Sequence, residues 1–144
     1  MAPVIISDSS QMLALVEDQK RLGKRIGLVP TMGALHAGHL SLVERATKNT
    51  DFTVVTIFVN PTQFGPDEDL DKYPRNLQQD TRLLSAYNVD VIFTPTVETM
   101  YPAGASTRVV PPEVASPFEG RLRPKHFEGV ATIVLKLFHL IPAD

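Results

Sequence analysis

Two histidines one helical turn apart, His36 and His39, enclose Gly38 in the segment Pro30-Thr31-Met32-Gly33-Ala34-Leu35-His36-Ala37-Gly38-His39. At that spacing on a helix both imidazoles point the same way, and a glycine between them opens the backbone to a bulky anion. Such a pair can hydrogen-bond phosphate oxygens and stabilise the charge that develops when an α-phosphorus is attacked and pyrophosphate leaves. That chemistry rests on positioning and charge, and it requires no protein nucleophile. Two other readings compete. The histidines could simply cap a helix, or they could bind a metal, which would call for a third ligand that no cysteine or H-E-x-x-H pattern supplies. An H-x-G-H box arises by chance in a chain of this length with a probability of roughly half a per cent.

A second segment, Phe58-Val59-Asn60-Pro61-Thr62-Gln63-Phe64-Gly65, combines the amides of Asn60 and Gln63 with the apolar wall of Phe64. Amides beside an aromatic ring suit a pocket for a small hydroxyl- or carboxylate-bearing molecule, although Asn-Pro is also an ordinary turn. A third segment, Glu119-Gly120-Arg121-Leu122-Arg123-Pro124-Lys125-His126-Phe127, gathers three cations and an imidazole. It reads either as an anion contact or as a solvated loop. Asp67, Glu68, Asp69 and Asp71 read as a polar surface and not as metal ligands.

Regular elements must carry these segments. Asp8 with Gln11 resembles a capping box, and Met12, Leu15, Val16 and Leu22 recur near helical spacing until Gly23. Ile26 to Val29 reads as a strand closed by Pro30. A second helix runs from about Gly38 to Asn49, and Phe52 to Val59 is a nearly continuous β-branched and aromatic stretch, the pattern of a strand buried on both faces. A third helix begins near Asn76, a third strand covers Val89 to Phe93, Thr107 to Val110 is expected to be a short strand, and Pro111 to Pro124 a structured loop. Val130 to Ile141 is expected to form an apolar helix. Strands alternating with helices imply right-handed crossovers, hence an α/β, Rossmann-like parallel sheet in which ligands collect at the carboxyl ends of strands and the opening N–H groups of the next helix face an anion. The box and the amide segment both fall at such strand ends, so both should line one crevice.

Bulk composition narrows the remaining classes. With 144 residues the chain suits a single domain spanning 1–144. A net charge of −2 with interleaved acids and bases gives no broad basic face for nucleic acid or an anionic membrane. No cysteine occurs, which removes disulfides and thiolate sites. No apolar run reaches the ~20 residues needed to span a bilayer, and the start lacks a signal-peptide pattern. A cytoplasmic location is the resulting expectation.

These segments together resemble the pantothenate synthetase family: Pro30-Thr31-Met32-Gly33 leading to His36 and His39, Phe58-Val59-Asn60-Pro61 with Gln63-Phe64, Glu68-Asp69-Leu70 with Tyr73-Pro74-Arg75, Tyr101-Pro102, and Arg123-Pro124 with His126-Phe127 and Gly129-Val130. The box by itself is shared with the wider H-x-G-H nucleotidylyltransferase superfamily. The resemblance implies attack of a pantoate carboxylate on the ATP α-phosphate, with magnesium assisting, and then displacement of AMP by β-alanine. It places ATP along Pro30 to His39, with His36 and His39 catalytic at the phosphates, and places pantoate and the β-alanine step at Gln63, with Asn60, Arg123 and His126 in the same pocket.

The family also carries a G-E-K-D segment and a serine-rich S-S-R-N loop, which this sequence lacks. The expectation is therefore a truncated Rossmann-like domain without its C-terminal lid, impaired or inactive by itself. A strand edge left open beside Ile26 to Val29 would favour self-association, most simply as a homodimer. The rival functions are a nucleotidylyltransferase acting on a phosphorylated acceptor, and a non-catalytic ATP-binding or assembly module. A phosphate acceptor would call for more positive charge around Gln63 than the sequence provides.

Overall fold

The computed structural model describes residues 1–144. Its elements in chain order are β1 (Val4–Ile6), α1 (Ser9–Arg21), β2 (Ile26–Thr31), α2 (Ala37–Asn49), β3 (Phe52–Ile57), α3 (Leu77–Ser85), β4 (Val91–Phe93), α4 (Val97–Met100), α5 (Glu119–Leu122) and α6 (His126–Leu140), with short 3-10 turns at Pro61–Gln63, Leu70–Lys72 and Glu113–Ala115. The four strands form one sheet in the order β1-β4-β3-β2. Every pairing is parallel, as the alternation of strands and helices implied.

Side-chain alternation along the strands splits the core into two layers. Ile26, Phe52, Val54, Val91 and Phe93 face one side, where Met12 and Val16 of α1 and Ile133 and Leu137 of α6 cover them. Val29, Val55 and Ile92 face the other, under Val43 of α2 and Leu84 of α3. Successive side chains of a strand point to opposite faces, so a central strand must be apolar throughout to satisfy both helical layers. β3 comes close to that requirement with five consecutive buried residues, Phe52 to Thr56, of which Thr53 and Thr56 are the polar exceptions.

Several boundaries differ from expectation. β2 continues through Pro30 to Thr31. The Ile26 N–H and C=O pair outward with Asp144, whereas the Thr31 carbonyl accepts the Phe58 N–H on the β3 side. Pro30 shares the phase of Ile26, so its missing N–H falls on the outer edge and costs no ladder bond. β3 ends at Ile57 instead of Val59, and β4 starts at Val91 instead of Val89. Thr107 to Val110 is not a strand: it pairs with none of the four strands, and the Val109 N–H donates instead to Thr132 Oγ1 at 2.9 Å. α6 begins a full turn earlier than the apolar run, at His126, because Gly129 and the polar residues before it occupy its first turn. β1 and α4 have no counterpart in the sequence reading.

Gly129 is required by close packing. A Cβ there would stand 2.5 Å from the Thr62 carbonyl oxygen, so only glycine lets α6 lie against the Pro61–Gln63 turn.

Candidate active site

The segment from Thr31 to His39 leaves the carboxyl end of β2 and enters α2. Thr31 Oγ1 donates to the Thr56 carbonyl at 2.7 Å and accepts the Gly33 N–H at 3.1 Å. Gly33 and Ala34 then take positive φ, 79° and 51°, a conformation that costs a non-glycine residue about 1–2 kcal/mol. Asp80 of α3 holds it there. Its two carboxylate oxygens accept the N–H groups of Ala34 (3.1 Å) and Leu35 (2.9 Å). Asp80 is 3% exposed, a buried acid whose acceptors are both occupied by the loop.

The two histidines form a reciprocal cap on α2. His36 Nδ1 accepts the Gly38 N–H at 3.1 Å, and His39 Nδ1 accepts the His36 N–H at 3.3 Å. The rings lie against each other with centroids 4.0 Å apart. Capping is therefore real, and it leads on to the chemistry. A backbone N–H can only donate, so each Nδ1 is an acceptor and the proton of each neutral ring sits on Nε2. Both imidazoles thus keep Nε2–H as a donor not used by the cap.

Gly38 serves this cap directly. A Cβ would meet His36 Cε1 at 2.9 Å, so the open space the sequence assigned to an approaching anion is taken by the His36 ring. Burial, and secondarily the neighbouring His36, lowers the His39 pKa below its ordinary 6.5, with Asp80 opposing. His39 is then neutral at pH 7.

His39 and Gln63 line the same cavity, about 210 Å3, with Pro30, Thr31, Met32 and Phe58 on one side and Val130, Ile133, Val134 and Leu137 of α6 on the other. His39 and Gln63 therefore share one hollow at the carboxyl edge of the sheet, whereas His36, stacked on His39, does not line it. A larger cavity of about 330 Å3 lies beyond Met32 and Gly33, among Arg75, Asn76, Asp80, Thr94 and Thr96. Neither histidine nor Gln63 reaches it.

The other three expected pocket residues stand behind Gln63 and not on the cavity wall. Asn60 is fully buried, and its amide is consumed internally by Gln63, Gly129, Thr62 and Tyr101. Arg123 forms a bidentate ion pair with Glu68, its Nε and Nη2 at 2.9 and 2.6 Å from the two carboxylate oxygens. That pairing lowers the Glu68 pKa and raises that of Arg123. Arg123 Nη2 and His126 Nδ1 also donate to the Gln63 carbonyl, at 3.3 and 3.0 Å. Their positions make them braces of the Gln63 turn. Glu68, read as plain polar surface, turns out to be a partner in that brace.

Two participating residues were given no site role by the sequence reading. Asp80 lies one turn before Leu84 on the buried face of α3, and an acid on an apolar stripe was the signal available. Tyr101 donates from its hydroxyl to Asn60 Oδ1 at 2.8 Å, and burial raises its phenol pKa. Nothing local to Tyr101 marks that role.

A parallel sheet whose β2–α2 turn carries this box defines an α/β protein of the H-x-G-H nucleotidylyltransferase-like class. Residues 4–144 match the family model described as pantoate-beta-alanine ligase. The chain is 53% identical over 137 residues to the pantothenate synthetase of Acetivibrio thermocellus, covering 95% of this chain and 49% of that protein. With the pantothenate synthetase of Koribacter versatilis it shares 54% over 140 residues, 97% of this chain and 48% of the relative. Among solved structures, pantothenate synthetase from Thermus thermophilus superposes with a TM-score of 0.89 at 46% identity, over 97% of this chain and 49% of that one. Pantoate-beta-alanine ligase from Francisella tularensis, complexed with beta-gamma ATP and beta-alanine, gives 0.92 at 42% identity, over 99% and 54%. The chain belongs to the pantoate–β-alanine ligase family, and it spans about half the length of the relatives it matches.

Proposed function

We propose that this chain supplies the pantoate-binding and phosphate-facing part of an ATP-dependent ligase that joins pantoate to β-alanine through a pantoyl-adenylate. The observation that carries the proposal is the shared cavity of His39 and Gln63. A carboxylate held by the Gln63 amide attacks the α-phosphorus of ATP lying along Pro30 to His39. The Nε2–H donors of His36 and His39, with the N-terminus of α2, stabilise charge on the phosphate oxygens as pyrophosphate departs. The β-alanine amine then attacks the activated carbonyl in the same cavity, and AMP leaves. The apolar wall of α6 suits the methyl-bearing body of pantoate.

Magnesium fits this arrangement only as the nucleotide's own ion. No group of three or more His, Cys, Asp or Glu side chains comes together as a cage, and Mg2+ is commonly held by substrate phosphates and water, where it neutralises their charge. Asn60, Arg123 and His126 serve the reaction by holding Gln63. No helix is long and apolar enough to cross a membrane; we place the reaction in the cytoplasm. Its partners are the three small molecules, with neither nucleic acid nor membrane required, and the working form is a homodimer.

Calorimetry of ATP and pantoate on this chain tests the assignment. Gln63→Ala should weaken pantoate selectively and His39→Ala should weaken ATP selectively, each by about tenfold, the equivalent of one hydrogen bond of ~1.4 kcal/mol. Equal loss of both ligands in both variants would remove the division of roles. Binding of a phosphorylated acceptor in preference to pantoate would favour the nucleotidylyltransferase instead.

A further inference from the structure

The direction in which the Gln63 amide points is settled by its surroundings, without any ligand. The Thr62 N–H can only donate, and it meets Asn60 Oδ1 at 3.2 Å. The Gly129 carbonyl can only accept, and it meets Asn60 Nδ2 at 3.1 Å. Two backbone groups of fixed polarity therefore determine which end of Asn60 is oxygen and which is nitrogen. The hydroxyls of Tyr101 (2.8 Å) and Thr62 (2.9 Å) reinforce the same orientation by donating to Oδ1. The second hydrogen of Asn60 Nδ2 goes to Gln63 Oε1 at 3.0 Å. Gln63 thus turns its oxygen inward, and its NH2 group, which has no acceptor within the chain, is left to the cavity.

We propose that Asn60, backed by Tyr101, is a positioning residue that fixes Gln63 as a hydrogen-bond donor and thereby selects a ligand group that only accepts, an acid oxygen, over the matching primary amide. The proposal rests on the reading of Gln63 as the acid-binding residue. A primary amide can meet the Gln63 NH2 only through its uncharged carbonyl oxygen, since its NH2 would set two donors face to face, whereas either oxygen of a carboxylate accepts with the help of its charge, so the contact favours the acid. An unconstrained glutamine could rotate and accept from such a ligand. With Asn60 behind it, rotation would set two NH2 groups against each other inside the protein.

Two measurements on the 144-residue chain test this. In the first, side-chain amide exchange by NMR should show the Asn60 NH2 protons protected and the Gln63 NH2 protons open to water. Asn60→Asp removes the donor, so Gln63 should rotate, donate to the new carboxylate and become protected. Tyr101→Phe should speed Asn60 NH2 exchange several-fold while leaving Gln63 open. In the second, calorimetry compares pantoate with its primary amide. The wild-type chain should prefer the acid, and Asn60→Asp should move the preference towards the amide by at least roughly tenfold. Protected Gln63 protons in the wild-type chain would overturn the proposal, as would an Asn60→Asp variant that loses both ligands equally with an unchanged ratio. If the wild-type chain binds neither compound, the acid-site reading fails separately and the exchange pattern still decides the orientation. If Asn60→Asp does not fold, the wild-type and Tyr101→Phe exchange patterns carry the decision.

Discussion

The chemistry of the candidate site is concentrated in which nitrogen of each imidazole carries its proton. Because His36 and His39 both spend Nδ1 on backbone N–H groups, adding a proton at Nδ1 would break the cap as well as change the charge. His39 should titrate by NMR with a midpoint below 6.5, with Nε2–H the neutral tautomer. The sign of the linked stability follows from that depression. The unfolded chain takes up the proton first, so the His39 contribution is present above about pH 6.5 and declines as pH falls towards and through the folded midpoint. A midpoint above 6.5, or stability that rises on mild acidification in wild type but not in His39→Ala, would contradict this. Asp80 is the second residue whose removal should be felt at a distance. Asp80→Asn keeps the shape but exchanges one acceptor for a donor, so one of the two loop bonds must be lost. A destabilisation of about 1.5–3 kcal/mol is expected, the range for a hydrogen bond to a charged group. Faster amide exchange confined to Ala34 and Leu35 would locate the damage.

At the scale of elements, the cavity depends on how α6 and the Pro61–Gln63 turn meet. Gly129→Ala forces that contact apart, since the new methyl would lie 2.5 Å from the Thr62 carbonyl oxygen. Overpacking of this kind costs about 1–3 kcal/mol, and here it should also shift the Asn60 and Gln63 amide signals, because the Gly129 carbonyl is what Asn60 holds. Within β3, Thr56 is fully buried and its hydroxyl finds no partner. Thr56→Val keeps the branched shape and removes the unpaired group, so denaturant unfolding should show a gain of about 1 kcal/mol. A loss would mean that the hydroxyl has a partner in solution.

For the molecule as a whole, the open edge of β2 is the feature with consequences. Asp144 covers only its first rung, by donating its N–H to the Ile26 carbonyl and accepting the Ile26 N–H. Beyond it Leu28 presents an unpaired backbone, interrupted at Pro30. Exposed strand edges template further pairing, so light scattering should report concentration-dependent association of this chain. A strictly monomeric mass at high concentration would count against the homodimer.

Much of this architecture was legible in the residues themselves. The period of Met12, Leu15 and Val16, the apolar run from Phe52 and the break at Gly23 locate the main helices and strands, because burial on one or two faces dictates residue type locally. The H-x-G-H box and the strand-end location of Gln63 are equally local. Tertiary structure alone decided what lies behind the site. Asn60, Arg123 and His126 have the chemistry of ligand-binding residues, yet packing turns them inward on Gln63, while Asp80 and Tyr101 reach the site from elements 46 and 41 residues away from their partners. Residue type states what a side chain can bond to. Only the packed fold determines whether those bonds are spent on the protein or left for a ligand, since hydrogen-bond partners are assigned by three-dimensional proximity that no local pattern encodes.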